Sequence, residues 1–133
     1  MSNNDIDKLE ELVKSLPDNA KLRLALGKAN LSVGNVDSAK EQLEKAISLN
    51  PTDPEAFLKL GNVIAEKKDF DMAIVCYQKA LALDSFYVEA LYCLGMAYVD
   101  VKQKDEVEKV IKRLEQLHPL WAQGLKSYYS KIL

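Results

Sequence analysis

Histidine is nearly absent from this 133-residue chain, and with His118 alone no histidine-based metal site can assemble. Cysteine is almost as scarce. Cys76 and Cys93 show no CxxC spacing and read as small packed hydrophobes rather than a redox pair. Neither sign of charge dominates, with 18 Lys and Arg against 20 Asp and Glu for a net charge of -2. A nucleic-acid-binding domain needs a basic face that this balance does not supply, so no nucleic-acid partner is expected. No apolar run approaches the ~20 residues that cross a bilayer. Residues 1–5 are polar and acidic where a secretory signal would be basic and then apolar, and a cytoplasmic location is expected. Carboxylates are scattered, and no glycine-rich loop is present to cradle a phosphate. No catalytic residue, cofactor or metal site is assigned.

What the chain does have is a period. Of only five glycines, Gly27, Gly61 and Gly95 stand thirty-four residues apart, each following a leucine: Leu26, Leu60 and Leu94. Pro17, Pro51 and Pro119 share one register with Ser85. Ala39, Ala73 and Val107 share a second, Leu43, Tyr77 and Ile111 a third, and Ala46, Ala80 and Leu114 a fourth. A repeat of this length is one supersecondary unit reused, each copy burying its apolar face against the next. Glycine inside a helix costs ~1 kcal/mol against alanine, so a recurring one marks the close approach of another helix. Gly34-Asn35 and Lys68-Asp69 divide first helices from second ones. Asn50-Pro51-Thr52-Asp53-Pro54 divides units, with Asp53 as a cap and Pro54 in a first turn. Asp84-Ser85 takes the place of that break in the next unit.

These residues resemble the tetratricopeptide repeat, whose pattern sets Leu-Gly between helix aromatics and follows it with a small residue, an aromatic and a closing proline. Residues 54–87 carry Phe57, Leu60, Gly61, Ala73, Tyr77 and Ala80, with Ile64 at the second aromatic place. Residues 20–53 keep Leu26, Gly27, Ala39, Ala46 and Pro51 but put Arg23 and Asn30 at both aromatic places. Residues 88–121 keep Leu94, Gly95, Tyr98 and Pro119. The resemblance implies an all-α fold, a right-handed α-solenoid of antiparallel helix pairs with these three units. Residues 4–16 place Ile6, Leu9, Leu12, Val13 and Leu16 at helical spacing and read as a lone second helix capping the N-terminal end. Residues 120–133, with Trp121, Leu125, Tyr128, Tyr129, Ile132 and Leu133, read as a C-terminal capping helix. One domain spans residues 1–133.

In this family the first helices line a concave groove. The resemblance therefore assigns Leu24, Lys28 and Leu31 of the first unit, Leu58, Lys59, Asn62 and Ala65 of the second, and Tyr92, Met96 and Val99 of the third to a protein-binding groove. Leu24, Leu58 and Tyr92 form one apolar row and Leu31, Ala65 and Val99 another. Such rows suit the burial of a partner's side chains, and equally the packing of neighbouring first helices. Lys21, Lys28 and Lys59 lie toward the first units and Glu66, Glu89 and Asp100 toward the last, a polarity that would orient a partner.

The family also includes a clamp that grips the C-terminal carboxylate of heat-shock chaperones with lysine, asparagine and arginine. Here its places hold Leu24, Lys28, Lys59, Glu89 and Cys93, and Glu89 would repel an anion. No chaperone carboxylate clamp is expected. The resemblance implies a non-enzymatic adaptor or scaffold that holds a peptide or helix of a protein partner. The competing reading is a structural module that self-associates through its end helices, with Trp121, Tyr128 and Tyr129 as the adhesive end.

Overall fold

Side-chain caps mark three of the helix starts. The computed structural model describes residues 3–132, and among them eight helices and no strand. Leu133, expected in the closing helix, lies outside the described residues. The helices are α1 (Asn3–Ser15), α2 (Ala20–Ser32), α3 (Val36–Leu49), α4 (Pro54–Glu66), α5 (Phe70–Leu83), α6 (Val88–Asp100), α7 (Lys104–Leu117) and α8 (Pro119–Ile132). Asn19, Asp53 and Asp69 cap α2, α4 and α5 by accepting the backbone N–H of Leu22, Glu55 and Met72 at 3.0, 3.0 and 3.3 Å. Pro54 begins α4, where its missing N–H costs nothing.

The turns inside each helix pair obey the same period. Gly34, Lys68 and Lys102 all adopt positive φ, at 83, 66 and 60°. Glycine meets this conformation freely, whereas a lysine there is strained by its Cβ. Lys68→Gly and Lys102→Gly are each expected to raise stability by roughly 0.5–1 kcal/mol, and Gly34→Ala to lower it by a similar amount. Urea denaturation midpoints of the three variants check the signs.

Each first helix meets its own second helix at the periodic glycine. An added Cβ at Gly27 would stand 2.7 Å from Leu43 Cγ, and one at Gly61 would stand 2.5 Å from Tyr77 Cε1. At Gly95 the approaching groups are Val110 and, more closely, Leu125 of α8. Ile111 fills less space than Tyr77, and Leu125 reaches into the room it leaves. Ala39, Ala73 and Val107 are fully buried at the same crossings.

The two layers of the stack are unequally close. First helices α2, α4 and α6 touch in succession, whereas second helices α3, α5 and α7 make no mutual contact. The first helices therefore line the inner side. At the ends, α1 rests on α2 through Ile6 and Val13 against Leu26 and Ala29. Arg23 ties this junction to α3, donating from Nε to the Pro17 carbonyl and from Nη1 to Gln42 Oε1, both at 2.9 Å. Asn30, the other polar residue at an aromatic place, is buried. Its amide donates to the Leu26 carbonyl at 3.0 Å and accepts from Asn35 at 3.3 Å, so it braces the turn. At the far end α8 packs on both α6 and α7, with Leu125 fully buried.

Candidate functional site

The inner face of α2, α4 and α6 divides the ten expected groove residues into three sets. Leu24, Leu58 and Val99 are corrected: they are buried, Leu58 and Val99 completely, and offer no surface to a ligand. The reason is the direct contact between successive first helices, which draws these side chains into the seams. Tyr92 is covered from another side. The ring of Trp121 meets it edge-on at 5.1 Å between centroids, and Gly124 lies beside it.

The two lysines form the second set. Lys28 Nζ lies 3.0 Å from Glu55, and Lys59 Nζ lies 3.7 Å from Glu89, each bridging to the next first helix. Two of the three lysines behind the polarity read along the sequence are thus paired across the helix seams, Lys59 with Glu89. These pairs are partly exposed, so they contribute little to stability, but they leave no unpaired lysine from this set to meet an anionic ligand.

Leu31, Asn62, Ala65 and Met96 make up the third set and are brought together. They line an open depression of about 540 Å³ whose wall also includes Cys93 and Phe70 and whose rim carries Glu66 and Asp100. Asn62 Oδ1 accepts the Tyr77 hydroxyl at 2.8 Å, which fixes the amide. Burial pushes the Cys93 thiol up to about 11, keeping it protonated and unreactive at neutral pH. Asp100 accepts a hydrogen bond from Tyr128 of α8 at 2.5 Å.

Tyr128 and Trp121, read from the sequence as part of an adhesive end, contact Asp100 and Tyr92 of α6. One period after Val88 would start a helix at residue 122, whereas α8 starts at Pro119. The shorter connection tucks α8 against α6, where Tyr128 meets Asp100 at the depression. Trp121 also packs near His118, at 6.0 Å between ring centroids. Trp121, Tyr128 and Tyr129 all pack against the core, each partly buried.

The hydroxyls around this face set an alkaline limit. The hydrogen bond to Asp100 pushes Tyr128 up to about 12, burial pushes Tyr87 up to about 12, and Tyr77 is raised by burial as well. A group that holds its proton more tightly when folded contributes fully below its unfolded pKa and loses that contribution as pH rises through the folded one. With unfolded values of 9.0 for Cys93 and 10.0 for the tyrosines, stability should begin to fall above pH 9 and drop further toward pH 12. Urea titrations across this range should show a shallower fall in Tyr128→Phe.

The helical pairs, their glycine crossings and the inner depression define a repeat architecture, and the TPR repeat model matches residues 31–68 and 61–101. The chain belongs to the tetratricopeptide-repeat family. Among its TPR relatives, the bovine BBSome complex member BBS4 is 30% identical over 121 residues, covering 87% of this chain and 23% of the relative's length. The crystal structure of the TPR protein MamA superposes with a TM-score of 0.81 at 27% identity, covering 96% of this chain and 81% of that one. The first TPR of Spaghetti (RPAP3), bound to the HSP90 peptide SRMEEVD, shares the fold with a TM-score of 0.78 at 22% identity, covering 85% and 92%. No helix among the described residues is long and apolar enough to cross a membrane.

Proposed function

We propose that this TPR domain is a non-enzymatic adaptor whose inner depression holds a short apolar segment of a protein partner, flanked by basic residues. One observation carries the reading: Leu31, Ala65 and Met96 stay open between the helices while Glu66 and Asp100 stand at the rim and Lys28 and Lys59 are already paired. Apolar walls accept side chains, and Met96 adapts to their shape. The acidic rim selects charge by complementarity. Peptide binding by the first TPR of Spaghetti supports an adaptor role for the fold, while its peptide, SRMEEVD, is acidic toward its C-terminus. Glu66 and Asp100 favour the opposite polarity here.

The test is fluorescence anisotropy with labelled peptides carrying a Leu-Met core, one flanked by arginine and one by glutamate, with SRMEEVD as a third probe. The arginine-flanked peptide should bind best, Ala65→Trp should abolish its binding at unchanged helicity, and Glu66→Lys should weaken it. Equal binding of the acidic probes, or indifference to Ala65→Trp, would remove the depression as the site.

A further inference from the structure

A second apolar surface lies on the outer side of the stack, independent of the inner depression. Because second helices do not touch, a trough of about 440 Å³ runs between α3 and α5. Its floor is Phe57, Leu60 and Ile64 of α4, and Met72 and Val75 form one wall. Both wall residues are exposed, at 48% and 41%. The repeat does not demand them. One period away, Met72 corresponds to Ser38 and Glu106, and Val75 to Glu41 and Lys109, all polar.

Helix α1 carries the complementary surface. It is a second helix with no first helix of its own among the described residues. In complete units the corresponding face is buried, by Leu43 and Ala46 in α3 and by Ile111 and Leu114 in α7. In α1 the same places hold Leu9 and Leu12. Leu12 is 47% exposed and Leu16 52%. Leu9 packs on α2, so Leu12 and, just past the end of α1, Leu16 are the apolar side chains left to anchor in a groove.

We propose that α1 of a second copy of this chain docks along the trough between α3 and α5. Charge and length both fit. Asp7 and Glu10 outnumber Lys8 on α1, whose Glu11 and Lys14 pair with each other, while Lys40 and Lys79 flank the trough against the single Glu44. The 13 residues of α1 span about 20 Å, nearly the length of the 14-residue α3 and α5. A contact this small lies at the low end of specific interfaces, so association is weak, in the micromolar range or above. Donor and acceptor are different surfaces, which makes the contact heterologous.

Sedimentation velocity on the full chain, from micromolar to submillimolar concentration, tests this directly. The chain should self-associate, and both Leu12→Lys with Leu16→Lys and Met72→Lys with Val75→Lys should lose association by at least ~10-fold at unchanged helicity. An equimolar mixture of the two double variants should recover a dimer, since each supplies the surface the other lacks. A strictly monomeric wild type overturns the proposal, including the case where the trough serves a foreign amphipathic helix. Loss in the α1 variant alone, or a mixture that stays monomeric, overturns it in favour of another contact.

Discussion

Gly61→Ala is expected to destabilise the fold by about 2–3 kcal/mol, against the sign of helix propensity. Propensity alone would favour alanine inside α4 by ~1 kcal/mol. The new Cβ, however, would stand 2.5 Å from Cε1 and 2.8 Å from Cδ1 of Tyr77. That ring cannot swing aside freely, because Tyr77 is buried and its hydroxyl is held by Asn62 at 2.8 Å. Separation of α4 from α5 would in turn open contacts to Ala73 and Ala80. For a chain of this size the change corresponds to a fall in Tm of roughly 10 °C. A second variant isolates the cause: Tyr77→Leu, costly by itself, should cost less in the Gly61→Ala background, since the smaller side chain relieves the contact. Additive effects in that double-mutant cycle would refute the packing explanation.

Leu58→Ala should lower stability by about 3–4 kcal/mol, and Leu58→Glu should leave the chain largely unfolded. Leu58 has no exposed surface and belongs to the largest core cluster, so truncation leaves a cavity and a carboxylate there has no water. A groove residue would behave in the opposite way, losing ligand and keeping stability. Circular dichroism melts of Leu58→Ala beside Met96→Ala make the comparison. Met96 lines the open depression and is only partly buried, so its truncation should cost clearly less. Equal losses would show that the two residues share one environment.

The lining of the inner depression was legible in part, and the division follows from what a repeat pattern encodes. Leu31, Asn62, Ala65 and Met96 lie where equivalence between units placed them, since a fixed period carries each residue to the same angle on its helix. Leu24, Leu58 and Val99 keep the same equivalence but fall into the seams between first helices, because the distance separating those helices is a property of their packing. The pairing of Lys28 with Glu55 and Lys59 with Glu89 depends on that spacing too. Tyr128 and Trp121 had no periodic signal to place them against α6, as α8 starts early and abandons the register.

By itself the sequence determined the all-α repeat: its thirty-four-residue step, the glycine crossings and most helix breaks. These are local or periodic properties, set by backbone preference and by the side-chain size tolerated at a recurring contact. Tertiary structure alone decided which apolar rows are seam and which are surface, that α8 packs on α6, and that Leu12, Met72 and Val75 keep exposed apolar surface. Those outcomes depend on distances between helices remote in the chain, and a helix's apolar face looks the same in sequence whether a neighbour covers it or not.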